Sequence, residues 1–576
     1  MFALSAVVAP GALDVRALAE SIPLQVWQAL LLGSMVFSLG VLYRVAQPGG
    51  RWGQRLRSRF VLGVPWGTVL GLCVVLGVYF FVQGGLAHRF DPVNLPFRAT
   101  SYAHPLGVAL AGFAHLDWGH LLGNLFSGLV FGSIAEYGWS HYPTARGEQS
   151  FTSWRDNPYV RIGVVFGGII VAGFLTAALS WGPLIGFSGV VYLLAGIALV
   201  FYPITTLVGI VAWPRLWHLL SAFNDPLQIA QPNVGYSGVG FAGTAIQGHA
   251  FGFLIGVLIG AAILHRRRRS ASPGRIWLGA MIYTVANGLW SIFWYLGNSQ
   301  YIRFRTLGTV LLFVLAGLIV LVVAGRDRSP SDRLVAPSLG RFARSVPSAR
   351  QIAVGTILFA LVSMSMIGVV INLSAPTGAD FPDDSIEVRD YEIAYVQNVT
   401  NEQIAVVDLP LLDQVTDVQT SGVVVYSDQR RLWHQVISES NLESRGSARV
   451  LVGGVGWRRP VYAYRSGWDA LGGDTTYQVF LRPEGHEPTL VHTASPAVAD
   501  VILDNRTVAI RSGTDGFEVV VRRGNQTLGV GGFPDSGANV TVGGITFART
   551  EQNLYASADG TTLRIAQRRI PPTRRR

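Results

Sequence analysis

What most constrains this chain is a succession of long apolar stretches. Crossing a hydrocarbon layer about 30 Å thick takes around 20 residues. Stretches of that kind lie near 25–46, 60–83, 118–139, 161–181, 188–203, 204–223, 247–265, 276–297, 306–325 and 352–373, ten candidates in all. Within 188–223 the visible break is Pro203, and Arg215 sits inside the second member. In lipid a backbone satisfies its polar groups only in helices or closed barrels, so these stretches predict an all-α polytopic membrane helix bundle. Composition agrees. Half of the 576 residues are hydrophobic, 14% are charged and mean hydropathy is +0.38, against about 25% charge in soluble domains. That balance excludes a soluble enzyme throughout, a disordered chain and a nucleic-acid-binding module.

The net charge of +11 divides unevenly. Residues 1–374 hold 25 Arg against 10 acids, a net of +15, and residues 375–576 hold 20 Arg against 24 acids, a net of −4. All 45 basic residues are Arg, which we read as compositional bias rather than function. The Arg-rich connectors 51–59, 265–269 and 326–350 mark the cytoplasmic side. Ten crossings between them put the N-terminus and the tail after 374 outside. The loop 298–305, with two Arg, is a mild dissent. Sequons begin at Asn372, Asn398, Asn505, Asn525 and Asn539, and the seven earlier asparagines carry none, in keeping with an external tail. Asn372 is expected to lie too near the bilayer to be used. The first 21 residues lack a basic n-region and a long apolar core, so no cleaved signal peptide is expected. The single cysteine, Cys73, allows no internal disulfide and no Cys-based metal site.

From 385 to 570 the chain alternates as strands do. SIEVRDYEIAYV, GFEVVVRR and TTLRIAQRR are separated by Asp-Gly, Gly-Gly and Gly-Asn turn pairs. An all-β soluble domain is expected there, ending in a disordered basic RIPPTRRR.

Ionisable and polar groups inside apolar helices are expensive, which makes them the places to look for chemistry. Three clusters stand out: His115-Leu-Asp117-Trp-Gly-His120-Leu-Leu-Gly-Asn124 followed by Glu136, Gly186-Phe-Ser188-Gly189-Val-Val-Tyr192, and Gln247-Gly248-His249-Ala-Phe-Gly252 with Gly256 one turn on. Each alone is weak. A lone intramembrane His more often bonds a neighbouring helix, a Ser at a helix start is more often a cap, and a second G-x-S-G string occurs at Gly235–Gly238. Two crossings separate each cluster from the next, so all three open helices entering from the outer side. His249 lies 16 residues before His265, about 24 Å along a helix, which puts it a few Å below the outer surface. His120 and Asn124 at i,i+4 share a helix face. Gly252 and Gly256 form a small-xxx-small step that permits close helix approach, with Gly189 offering room opposite. A Ser–His hydrogen bond across two helices requires such an approach. Ser237, in a Gly-rich loop 12 residues before His249, is the poorer nucleophile candidate.

These motifs resemble the rhomboid intramembrane serine proteases. The resemblance rests on His115-x4-His120-x3-Asn124, Gly186-x-Ser188-Gly189 running into Val-Val-Tyr, and Gly248-His249-x-x-Gly252-x-x-x-Gly256, in that order, and covers about 59–270. It implies a rhomboid-like six-helix core, from which the chain departs by about four extra transmembrane helices counted among the apolar stretches. It also implies Ser188 as nucleophile, His249 as general base, and an oxyanion hole of His120, Asn124 and the Ser188 N–H. Tyr192 would pack on the His249 ring, and Glu136 would tie helix ends together. Arg98, in Phe97-Arg98, stands where the family carries a Trp-Arg pair in its first outer loop. The chain then divides into an N-terminal segment with one extra helix (1–58), the catalytic core (59–270), three additional helices with an Arg-rich cytoplasmic loop (271–374) and an extracytoplasmic β-rich domain (375–576). The resemblance implies membrane-anchored protein substrates cut near the outer face, with no cofactor.

Rival chemistries fit poorly. No H-E-x-x-H is present for zinc, His115 and His120 at i,i+5 do not share a face, and Asp117 and Glu136 do not form an aspartyl pair. A catalytically inactive rhomboid-like protein that binds and escorts membrane helices is the main alternative. A transporter would show internal repeats, and none is visible.

Overall fold

The computed structural model describes residues 21–47, 49–143, 146–226, 245–297, 300–325, 347–373, 376, 378, 381–402, 419–514 and 516–569. The expectations for the N-terminal segment before 21, for Ser237, for most of the connector 326–350 and for the basic C-terminus lie outside the described residues.

Helices form where the apolar stretches predict them. In chain order they are α1 Leu24–Ala46, α2 Arg51–Arg57, α3 Trp66–Gly77 (continued by a π turn, Val78–Val82), α4 Pro105–Ala111, α5 Trp118–Trp139, α6 Pro158–Leu179, α7 Ser188–Phe201, α8 Pro203–Asn224, α9 Ile246–Arg266, α10 Pro273–Ala286, α11 Arg305–Ala324 and α12 Ala349–Leu373. Among the described residues α1, α6, α9, α11 and α12 are long and apolar enough to cross a membrane. The break at Pro203 separates α7 from α8, as expected.

One expected stretch is built differently, as a helix of the same length as α7 followed by a hairpin. The stretch 276–297 is apolar enough to cross, yet α10 has 14 residues, about 21 Å at 1.5 Å per residue. Asn287 caps it, Gly288 turns away at φ 69°, and the chain enters an antiparallel hairpin, β1 (Phe293–Gly297) and β2 (Gln300–Arg303). Its Gly297-Asn298 sequence is a turn signal that outweighs the hydropathy.

The bundle centres on α7, packed against α9 with almost no side chains between. A Cβ on Gly252 would lie 2.2 Å from the Gly189 carbonyl oxygen, one on Gly256 2.0 Å from that of Leu193, and one on Gly196 2.3 Å from that of Phe253. The expected Gly252 and Gly256 contacts are thus made. Gly189 contributes its backbone to α9 and turns its missing Cβ toward Thr176 of α6. Polar groups at the C-terminal end of α5 are saturated. Glu136 accepts from the Gly67 and Thr68 N–H groups (2.9 and 2.8 Å) and the Thr68 hydroxyl (2.8 Å), and meets His141 Nε2 at 2.6 Å. It ties α5 to the α3 N-terminus, where a carboxylate satisfies orphan donors. Arg161 and Arg267 donate to the carbonyls of Gly138, Trp139 and Ser140 at the α5 C-terminus (2.7–2.9 Å).

The tail is β-rich, with a single helix, α13 Glu439–Arg445, among its described residues. One antiparallel sheet runs β3 (Ile386–Val388), β4 (Tyr391–Thr400), β5 (Gln419–Ser427), β6 (Leu432–Ser438). A second runs β11 (Ala497–Leu503), β12 (Arg506–Gly513), β13 (Gly516–Arg523), β14 (Gln526–Gly532). The largest is ordered β10-β9-β8-β18-β17-β16-β15, with β7 (Ser447–Gly454) also on β8. Its other members are β8 (Trp457–Ala470), β9 (Thr475–Pro483), β10 (Thr489–Thr493), β15 (Asn539–Val542), β16 (Ile545–Arg549), β17 (Asn553–Ala558) and β18 (Thr561–Arg568). Strand β8 belongs to two hydrophobic cores, giving Val461 and Ala463 to one and Trp468 and Ala470 to the other.

The tail is built onto the bundle. Leu95, in the loop after α3, lies in the first tail core. Asp91 pairs with Arg449 (2.5 Å) and Arg458, and Arg98 Nη1 meets His434 Nε2 at 2.8 Å. Asn372, at 0% exposure, donates to the Ala178 and Ser180 carbonyls (3.1 and 3.2 Å) and accepts at its backbone oxygen from the Tyr102 N–H (2.7 Å). Its sequon is therefore internal, whereas Asn398, Asn505, Asn525 and Asn539 are exposed.

Candidate active site

Asp117 starts α5: extended at φ −156°, it accepts from the His120 N–H at 2.9 Å, an N-cap that satisfies an orphan donor of the first turn. His115, just before it, is fixed on both sides of its backbone by Gln83, whose amide donates to the His115 carbonyl (2.7 Å) and accepts from its N–H (2.8 Å). Its ring is satisfied too, with Nδ1 on the Phe113 carbonyl (3.1 Å) and Nε2 on Asn124 Nδ2 (3.0 Å). Burial, then the neighbouring His120, hold the His115 ring well below its ordinary pKa. It stays neutral, donating from Nδ1 and accepting from Asn124. One Asn124 amide hydrogen is committed in this way, and the other remains for a ligand.

Gly186 shapes the other wall. Its φ of 129° suits glycine alone, and a Cβ there would lie 2.7 Å from His120 Cε1 and 3.0 Å from Nε2. Its N–H donates to the Ala111 carbonyl (2.8 Å), and the Ala99 N–H to the Leu184 carbonyl (2.9 Å). The segment entering Ser188 is therefore clamped by the loop that carries the tail. Ser188 is the first residue of α7, so its N–H has no partner within the helix.

His249, in the first turn of α9, is 8% exposed, and its Nε2 lies 2.7 Å from Ser188 Oγ. Tyr192 stacks on it, with ring centroids 4.2 Å apart and planes 9° apart. The Nδ1 atoms of His249 and His120 are buried without a hydrogen-bond partner among the described residues. A cavity of about 390 Å³ is lined by His120, Asn124, Ser188 and His249 together with Ser127, Tyr283 and Asn287.

The structure thus brings Ser188, His249, His120, Asn124 and Tyr192 to one cavity. Glu136 lies outside it, at the far end of α5. Arg98 is also elsewhere: it is half-buried against His434, and desolvation lowers its pKa to about 10. Tyr283 and Asn287 were not foreseen. The signal was present in Asn287-Gly288, a polar-plus-glycine pair inside an apolar stretch.

A helical bundle with a serine and a histidine joined across two apolar helices defines a class of membrane-embedded proteins. Residues 104–266 match the family model for the Rhomboid domain, so the chain carries a Rhomboid domain, with α3 packed outside the matched segment. No curated protein and no solved structure matches the chain.

Proposed function

We propose that the chain is an intramembrane serine endopeptidase that cuts membrane-anchored proteins near the outer face of the bilayer. The observation that carries this reading is the 2.7 Å contact between Ser188 Oγ and His249 Nε2. A serine hydroxyl is a weak nucleophile until a neutral imidazole takes its proton. As Oγ attacks the scissile carbonyl carbon, its proton passes to His249 Nε2 and the carbonyl electron pair moves onto the oxygen. His120, the uncommitted Asn124 hydrogen and the Ser188 N–H then act as donors to that oxyanion. Collapse breaks the C–N bond, and the leaving amine takes the proton from Nε2, leaving an acyl-Ser188. Water attacks next, giving its proton to His249, and the acyl C–O bond breaks as Oγ recovers a proton. A hydrogen-bonded helix hides its carbonyls, so the substrate segment must unwind locally. In this reading the Arg-rich connectors face the cytoplasm and the tail is extracytoplasmic, on the side to which the cavity opens.

The test is labelling of the purified protein by a serine-directed fluorophosphonate. Labelling is expected in the wild type and lost in Ser188→Ala. A folded wild-type protein that takes no label, yet retains a membrane-helix partner, would instead be a non-catalytic rhomboid-like binding protein. Loss of label in Ser237→Ala but not in Ser188→Ala would move the nucleophile.

A further inference from the structure

The His249 imidazole has one hydrogen-bond partner, Ser188 Oγ, because its buried Nδ1 meets no acceptor among the described residues. A ring held at one atom can tilt about that bond, and a tilt carries Nε2 off the hydroxyl. What restrains the ring is the parallel face of Tyr192. Tyr192 in turn is set by α10, which begins at Pro273, beyond the matched segment. Tyr283 meets the Tyr192 ring edge-on (5.8 Å, 82°) and stacks on Phe253 of α9 (4.8 Å, 4°). Asn287 offers the Tyr192 hydroxyl two acceptors, its backbone carbonyl and its Oδ1, each at 3.4 Å.

Asn287 is itself fixed. Its Nδ2 donates to the Tyr283 carbonyl at 2.9 Å, and its N–H bonds the same oxygen at 3.1 Å. The early end of α10 is what makes this possible. Had the helix run on through the apolar stretch, the Asn287 carbonyl would be taken by the fourth residue beyond it and would not face Tyr192.

We propose that Asn287 is a positioning residue: through the Tyr192 hydroxyl it fixes the plane of the His249 imidazole, so that α10 belongs to the working site. This rests on the protease reading above. The test uses the full-length protein in detergent and measures kinact and KI for a fluorophosphonate. Tyr192→Phe removes the hydroxyl and keeps the stacking ring, and should lower kinact about 10-fold with KI within about twofold. Asn287→Ala keeps the backbone acceptor and should cost about threefold. Because both cut one link, the double variant should be no slower than Tyr192→Phe. Wild-type kinact in both single variants, additive losses in the double, or a loss that only tracks the unfolded fraction overturns the inference while Ser188→Ala stays unlabelled. Labelling that persists in Ser188→Ala sinks the protease reading itself.

Discussion

The two ends of α5 each hold a pair of buried or half-buried polar side chains around histidines, and they are built differently. At the C-terminal end His141 uses both ring nitrogens, accepting from the Val61 N–H (2.9 Å) at Nδ1 and meeting Glu136 at Nε2, while Glu136 satisfies α3. At the N-terminal end His115 is likewise saturated, but His120 and His249 each leave a ring nitrogen without a partner among the described residues. Burying polar groups unpaired costs about 1–3 kcal/mol each. A bundle able to saturate Glu136 from several donors has the means to saturate its histidines. Saturated groups hold helices together, and unsaturated ones facing a cavity are free to bind what enters it.

The contrast breaks most visibly at His249. His249→Ala should cut fluorophosphonate labelling by about 10⁴-fold or more, since in the proposed protease nucleophile and base act as a unit, while the melting temperature of the purified protein changes little. A large fall in melting temperature would make His249 a structural residue like His141. Next in size are His120→Ala and Asn124→Ala. Each is expected to lower kcat on a cleaved substrate by about 10²–10³-fold, the usual cost of one oxyanion donor, with KM nearly constant. An equal rise in KM instead would assign them to substrate binding. At the C-terminal end of α5 the sign reverses. Glu136→Ala should cost about 2–3 kcal/mol of stability, because it strands the Gly67 and Thr68 N–H donors, yet leave the labelling rate of the folded fraction unchanged. A lowered labelling rate in folded Glu136→Ala would join the two ends functionally.

How far the sequence reached depends on separation along the chain. The meeting of His120, Asn124, Ser188 and His249 at one cavity was legible from the spacing within their motifs and the order of the motifs along the chain. The α7–α9 contact was legible from Gly252 and Gly256 because close approach requires missing side chains. Asn287 was not, because hydropathy reads 276–297 as one span and a 14-residue helix plus a hairpin is equally apolar. Nor was the docking of the tail. Arg98 and His434 lie 336 positions apart, and a loop arginine meeting a strand histidine leaves no periodic trace.

That docking yields the smallest expected effect, and it compares bundle with tail. His434, in strand β6, is half-buried, and desolvation first and Arg98 second hold its pKa well below the ordinary value. The folded protein therefore resists protonating His434, whereas the unfolded chain takes the proton near pH 6.5. Stability from this contact is full above that pH and declines as pH falls below it, because the unfolded state then binds more protons. The decline cannot exceed about 1.4 kcal/mol per pH unit for one group. Thermal melts of the full-length protein between pH 7.5 and 5.5 should show a steeper acid loss in wild type than in His434→Gln, which does not titrate. His104 and His492 are also held below their ordinary values by burial, but both remain in the variant, so the difference in slope isolates His434. Parallel slopes would mean that the tail stays seated on the loop after α3 through contacts such as those of Leu95, Asp91 and Thr100, and that Arg98 contributes packing rather than a proton-sensitive contact.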